Sequence, residues 1–253
     1  MQLGIDADNS ADLYLNPANI VTDINQGLAE GARTRRAYGN YNYSANGSFT
    51  ATRMLADALQ SQTSLGGQFI DERRNYTQGT GRQLVPGTGS LATVGAGKDV
   101  AESNQEIKTV GGYVREQLAW RDRLFVTAAL RADENSAFGK DFKLAYYPAA
   151  SASYVISDEP FFAGLPLIGT GLLDQLRLRA SYGRSGQRPG FRQADTYLSA
   201  VSVANVGGQE LTAVVIGGTG NAGLKPEISD EVELGLDASF LSNRVGLTYT
   251  YFD

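Results

Sequence analysis

Long runs of period-two alternation constrain this chain more than any other feature. A strand that alternates apolar with polar residues separates two different environments. From Asn40 to Thr52 one set of positions reads Tyr41, Tyr43, Ala45, Gly47, Phe49, Ala51, and the intervening positions are Asn, Ser and Thr. Leu124, Val126, Ala128 and Leu130 alternate with Thr127, Ala129, Arg131 and Asp133. Leu176, Leu178, Ala180 and Tyr182 alternate with Arg177, Arg179, Ser181 and Gly183. Val232, Leu234, Leu236, Ala238 and Phe240 alternate with Glu231, Glu233, Gly235, Asp237 and Ser239, and Val245, Leu247, Tyr249 and Tyr251 alternate with Gly246, Thr248 and Thr250. These runs last roughly 9–13 residues, against about 5–6 for an ordinary strand and about 9–11 for a tilted strand that crosses a bilayer. Their length favours strands that span a membrane.

The connections point the same way. Arg121-Asp122, Ser242-Asn243 and the short link Leu55–Leu59 read as tight turns, whereas Asn9–Ala37, Gln78–Ser103 and Gln187–Lys225 are long, polar and rich in glycine. Short turns at one end and long loops at the other are the mark of outer-membrane barrels, whose short turns face the periplasm. Roughly nine spanning strands follow from this spacing. Pro160–Leu173 is the outlier, because Phe161, Phe162, Leu165 and Leu167 make it more apolar than a hairpin link. Trp120, Tyr182, Phe240 and Tyr251 fall near strand ends, as in an interfacial aromatic girdle. Glu116 departs from the pattern by falling on the face of Val110, Val114 and Leu118, and Ser61–Ile70 is only faintly amphipathic.

Composition removes several function classes. The 253 residues contain no His and no Cys, so imidazole-dependent nucleophile systems, imidazole metal sites, thiolate sites and disulfides are excluded. A net charge of -5 disfavours a nucleic-acid partner. Met1–Asp6 shows neither the basic nor the apolar region of a secretory leader. An outer-membrane reading therefore expects this chain to be an internal part of a longer one.

Three local patterns fail as catalytic or ligand motifs. Asp6–Asp12 resembles the opening of a calcium loop, but Ala11 and Pro17 stand where an EF-hand needs Gly and Glu. Gly95-Ala96-Gly97-Lys98-Asp99 lacks the leading Gly and the trailing Ser or Thr of a phosphate loop and reads as a glycine-rich loop. Glu231 and Glu233 share a strand face, and with nothing in the sequence to show a pocket around them they read as solvated lining rather than an acid/base pair. No catalytic residue, metal site or cofactor is expected. The residues with chemistry are those of the polar strand face: Arg131, Asp133, Arg177, Arg179, Glu231, Glu233 and Asp237, expected to line a barrel lumen.

Several segments resemble the SusC/RagA type of TonB-linked outer-membrane proteins. They are Leu130-Arg131-Ala132-Asp133-Glu134-Asn135-Ser136-Ala137-Phe138-Gly139, then Tyr147–Ser157, Arg179–Gln187 and Leu224-Lys225-Pro226-Glu227-Ile228-Ser229 running on to Leu247. The resemblance is clear from Thr109 to Asp253. It implies an all-β chain, a segment of an antiparallel transmembrane β-barrel of about 22 strands filled by a plug. It also implies import of large nutrients such as oligosaccharides or peptides, a SusD-like surface lipoprotein lid, and energy from the TonB complex. On this reading residues 1–253 are part of a receptor barrel domain, without plug, TonB box or signal peptide. Two other readings remain open: a small self-contained outer-membrane barrel with a structural or adhesive role, and a soluble glycan-binding β-sandwich.

Overall fold

Strands that follow one another in sequence lie side by side in the sheet. The computed structural model describes residues 2–16, 31–85, 88, 90–141, 144–162, 172–206 and 209–253. The strands are β1 (Gln2–Asn16), β2 (Ala32–Ala56), β3 (Leu59–Leu84), β4 (Val94–Trp120), β5 (Leu124–Asn135), β6 (Ala145–Val155), β7 (Leu173–Gln187), β8 (Tyr197–Val206), β9 (Gln209–Gly218), β10 (Glu227–Phe240) and β11 (Val245–Phe252). Nine of them form one sheet in the order β1-β2-β3-β4-β5-β6-β7-β10-β11, and β8 with β9 forms a separate hairpin between β7 and β10. The all-β architecture and the nine strands agree with the sequence reading. By packing, the chain separates into two compact units, one of Asn46–Phe69 with Thr109–Asp253 and the other of Gln2–Ala45 with Ile70–Lys108.

In the first unit, antiparallel pairing carries the alternation from strand to strand. Residues directly opposite one another project to the same side. One row runs Leu118, Val126, Ala152, Ala180, Leu234, Tyr251, and the next runs Trp120, Leu124, Tyr154, Leu178, Leu236, Tyr249. Among the described residues this apolar face is left largely open: Val126, Leu178 and Leu234 are 43%, 41% and 52% exposed. The apolar residues that are buried are mainly small, among them Ala119, Ala137, Ala145, Ala194 and Ala238. A β-sandwich would cover such a face with a second sheet. An uncovered apolar band of this size needs lipid or another apolar partner.

The tight turns come from residues held at positive φ. Arg121 and Asp122 have φ of 51° and 54°, and Leu241, Ser242 and Asn243 have φ of 56°, 59° and 60°. Two-residue hairpins adopt this left-handed geometry because it matches the twist of the flanking strands. The β4–β5 turn closes in that way, with the Arg123 amide donating to the Trp120 carbonyl at 3.0 Å. The β10–β11 turn is one residue longer, with the Arg244 amide donating to the Phe240 carbonyl at 3.0 Å. The Arg121 amide donates to the Ala58 carbonyl at 2.8 Å, tying the β4–β5 turn to the β2–β3 turn. The Asn243 amide donates to Asp174 Oδ2 at 2.9 Å. In the Pro160–Leu173 link, the 3-10 turn Ile156–Asp158 leads to Phe162, which is buried, while residues 163–171, and with them Leu165 and Leu167, lie outside the described residues.

The expected long loops are a correction. β1 runs on to Asn16, β2 begins at Ala32, β3 reaches Leu84 and β4 starts at Val94, so much of Asn9–Ala37 and Gln78–Ser103 is strand, and Gln187–Lys225 contains the β8–β9 hairpin. Residues 17–30 lie outside the described residues. Alternation reports a difference between two faces, and it vanishes where both are wet even though the backbone still pairs. Residues 97–104 of β4 are exposed at every position. The glycine-rich run Gly95–Asp99 is therefore also strand, with Gly97 at a φ of 60°. Asp6–Asp12 lies in β1, where successive side chains point to opposite faces and cannot wrap an ion.

Glu116 and the faint pattern of Ser61–Ile70 turn out to be one feature. Glu116 lies opposite Ala128 on the apolar face, and its two carboxylate oxygens accept hydrogen bonds from Ser61 Oγ and Thr63 Oγ1 of β3. The two β3 positions that should have been apolar are hydroxyls because they serve this carboxylate. Replacing both by Ala is expected to cost about 1–3 kcal/mol by stranding a charge. Adding Glu116→Leu to that double variant should recover most of the loss, as read by urea titration in lipid vesicles.

Candidate functional site

The opposite face of the first unit is polar, and it carries all seven charged residues singled out by alternation. Its rows run Gln117, Thr127, Ser151, Ser181, Glu233 and Ala119, Phe125, Ser153, Arg179, Gly235, Thr250. Arg131 and Asp133 stand on β5, Arg177 and Arg179 on β7, and Glu231, Glu233 and Asp237 on β10. Strand parity puts them all on this side.

The structure gathers these residues into two separate groups rather than one pocket. In the first, Arg131 Nε donates to Asp133 Oδ2 at 2.9 Å and its Nη2 donates to Gln68 Oε1 of β3 at 2.8 Å. In the second, Arg179 reaches diagonally to Asp237, with Nε to Oδ2 at 2.9 Å and Nη2 to Oδ1 at 3.2 Å. This bidentate geometry suits a planar guanidinium and a carboxylate. Arg177, although opposite Asp237 in register, donates instead to Ser153 Oγ at 2.7 Å. Glu233 accepts from Ser181 Oγ at 3.3 Å, and Glu231 and Glu233 both border a shallow depression of about 250 Å³.

Two glycines make room for these ion pairs, and the sequence reading did not single them out. A Cβ at Gly235 would meet the Arg179 guanidinium at 2.9 Å, and one at Gly111 would meet Asp133 Oδ1 at 2.0 Å. Each pair lies over a strand position that lacks a side chain. Glycine inside a strand marks such close approaches.

The apolar face ends in its own polar cluster. Arg184 Nε and Nη2 donate to the two oxygens of Asp230 at 2.7 and 3.0 Å, and the Tyr182 hydroxyl donates to Asp230 Oδ1 at 2.7 Å. From Val232 to Phe240 the same face is apolar, a run of the length a tilted strand needs to cross hydrocarbon.

In the second unit, Arg73 Nη2 lies 2.7 Å from Asp71 Oδ2 and 3.1 Å from Glu106 Oε1, and Lys108 also pairs with Glu106. The Arg73 guanidinium holds the Asp71 carboxyl below its usual range, against an opposing contribution from burial. A depressed carboxyl stabilises above its unfolded value of about 3.9 and loses that stabilisation as pH falls through the folded value. Amide exchange at residues 70–74 should therefore accelerate below about pH 4. In Asp71→Asn this acid-dependent step should be missing.

The profile described as TonB dependent receptor-like, beta-barrel matches residues 2–253. This chain belongs to that family. Two curated receptor barrels of Formosa agariphila are similar: TonB-dependent receptor P26, 30% identical over 140 residues (54% of this chain, 13% of the relative), and TonB-dependent receptor P3, 30% identical over 148 residues (58% and 14%). The matched part of the chain thus spans about one seventh of these relatives' length. Among solved structures, the RagAB peptide transporter matches with a TM-score of 0.84 at 17% identity, covering 99% of this chain and 27% of that one. The RagAB peptide importer in its closed-closed state matches at 0.83 and 18%. At such identity the likeness speaks for the fold, and it agrees with the SusC/RagA-type resemblance in the sequence. The family is one of receptors and transporters rather than enzymes, and a receptor barrel implies an outer-membrane setting. Among the described residues no cluster of acidic side chains could hold a metal ion.

Proposed function

We propose that this chain forms part of the wall of an outer-membrane TonB-dependent transporter for large nutrients such as oligosaccharides or peptides. The observation that carries the reading is the two-faced sheet. One face is apolar and uncovered over two full rows of side chains, which suits hydrocarbon. The other carries Arg131, Asp133, Arg177, Arg179, Glu231, Glu233 and Asp237, which suits a water-filled or plugged lumen. With three cations and four anions, most of them held by neighbours, this face would wet the passage and bear against a plug without gripping a charged solute. A SusD-like surface lipoprotein as lid and the TonB complex as energy source complete the reading, on the strength of the family resemblance.

The test is genetic. Deleting the gene that encodes this chain should abolish growth on at least one polysaccharide or peptide mixture as sole nutrient. Removing TonB should reproduce the same loss. Growth that survives the deletion on every such source, or that is lost without any dependence on TonB, contradicts the proposal.

A further inference from the structure

The second unit holds a cleft of about 700 Å³, well separated in sequence from the charged residues of the first unit. Tyr38, Asn40 and Asn42 alternate along β2, and Glu72, Arg74 and Tyr76 alternate along β3. The Tyr38 and Tyr76 rings touch across the two strands, with centroids 5.1 Å apart and planes tilted by 41°, so both rows border the same space. β1 adds Asp6 and Asp8, and β4 adds Ser103 and Gln105.

The aromatic pair is held in place from below. The Tyr76 hydroxyl donates to Gln78 Oε1, which also accepts from Arg36 Nε at 2.8 Å. Gln78 Nε2 in turn donates to Thr80 Oγ1 at 3.3 Å. A ring fixed in this way needs little ordering when a ligand arrives.

We infer that this cleft, with Tyr38 and Tyr76 as its platform, binds a neutral oligosaccharide. The inference rests on the transport reading and names the substrate class for it. The chemistry of the walls selects the ligand. They consist of Tyr, Asn, Gln, Ser and charged side chains, with no aliphatic residue. The C–H face of a sugar ring can stack on a tyrosine, while its hydroxyls pair with planar amides, which both donate and accept, and with carboxylates, which accept. A peptide presents apolar side chains, which need apolar pockets that these walls lack. An acidic or sulfated sugar would meet Asp6 and Asp8, while Arg73 is engaged by Asp71 and Glu106. Like charges in a cleft disfavour an anionic ligand.

The test uses the complete receptor that carries this chain, purified from the outer membrane in detergent, with its heat-dependent gel shift confirming a folded barrel. Calorimetric titration compares maltohexaose, cellohexaose, laminarihexaose, xylohexaose and mannohexaose with an equimolar mixture of hexapeptides. At least one hexasaccharide is expected to bind. Tyr38→Ala and Tyr76→Ala should each weaken it about tenfold, while Tyr76→Phe, which keeps the ring, stays within about threefold. Absence of binding by all five sugars, binding untouched by both alanine variants, or hexapeptide binding that those variants abolish would overturn the inference. Failure of the transport reading shows itself separately, as growth that is indifferent to the receptor or to TonB.

Discussion

Leu178→Arg is expected to destabilise the folded sheet in lipid by about 2–4 kcal/mol, the cost of a cation near the middle of a lipid-facing barrel strand. Leu178 stands opposite Leu236 on one side and Tyr154 on the other, inside the uncovered apolar rows. Its side chain is 41% exposed on that face. Ser151→Arg provides the contrast, because Ser151 lies on the charged face, exposed, opposite Thr127 and Ser181. A surface substitution there should stay within about 0.5 kcal/mol. Urea titration of the refolded receptor in vesicles, read by heat-dependent gel mobility, measures both. A sheet that met water on both faces would show no such contrast, since an arginine at an exposed site costs little in water.

The second large effect is expected at Gly139. Its amide donates to the Leu224 carbonyl at 3.0 Å, and the Asp141 amide donates to the Ala222 carbonyl at 3.2 Å. A Cβ at position 139 would lie 2.1 Å from the Ala222 carbonyl oxygen and 2.8 Å from the Leu224 nitrogen, both backbone atoms that cannot swing aside. Asn135 prepares the approach. Its Nδ2 donates to Thr109 Oγ1 at 2.7 Å and its Oδ1 accepts from the Ala137 amide at 2.8 Å, which turns the chain after β5. Gly139→Val should therefore detach the β5–β6 connection from the segment leading into β10, at about 1–3 kcal/mol, the usual cost of overpacking. Faster amide exchange at Gly139, Asp141 and Leu224, with quicker tryptic cleavage at Lys140, would report it. Gly246→Ala is the control, because a Cβ there meets nothing within 4 Å.

That contact also joins two of the segments that carry the family resemblance. Leu130–Gly139 and Leu224–Ser229 are far apart in sequence, and the structure joins them through backbone hydrogen bonds at Gly139 and Leu224. Nothing in a linear pattern shows that Gly139 is needed for close approach rather than for a turn.

The faces of β5, β7, β10 and β11 were legible in the sequence because the two sides of those strands differ in polarity. The upper reaches of β1 to β4 were not, since strand pairing persists there without any apolar side to mark it. For the same reason Tyr38 and Tyr76 carried no signal by themselves: a contact between residues 38 positions apart appears only once β2 and β3 are in register. Glu116 looked misplaced because its partners, Ser61 and Thr63, lie on another strand. The charged positions Arg131, Arg179 and Asp237 could be named from alternation, but their pairing depends on Gly111 and Gly235, whose role is to be empty.

The central claim, that one face of this sheet meets lipid and the other does not, can be measured directly. The chain has no native cysteine, so single cysteines can be placed at Leu178 and Leu234 on one face and at Thr127 and Ser181 on the other. Each is labelled with bimane in the receptor, which is then reconstituted in vesicles whose acyl chains carry a nitroxide quencher. Strong quenching at positions 178 and 234, with little at 127 and 181, is the predicted result. Equal quenching on both faces, or none at 178 and 234, would contradict it.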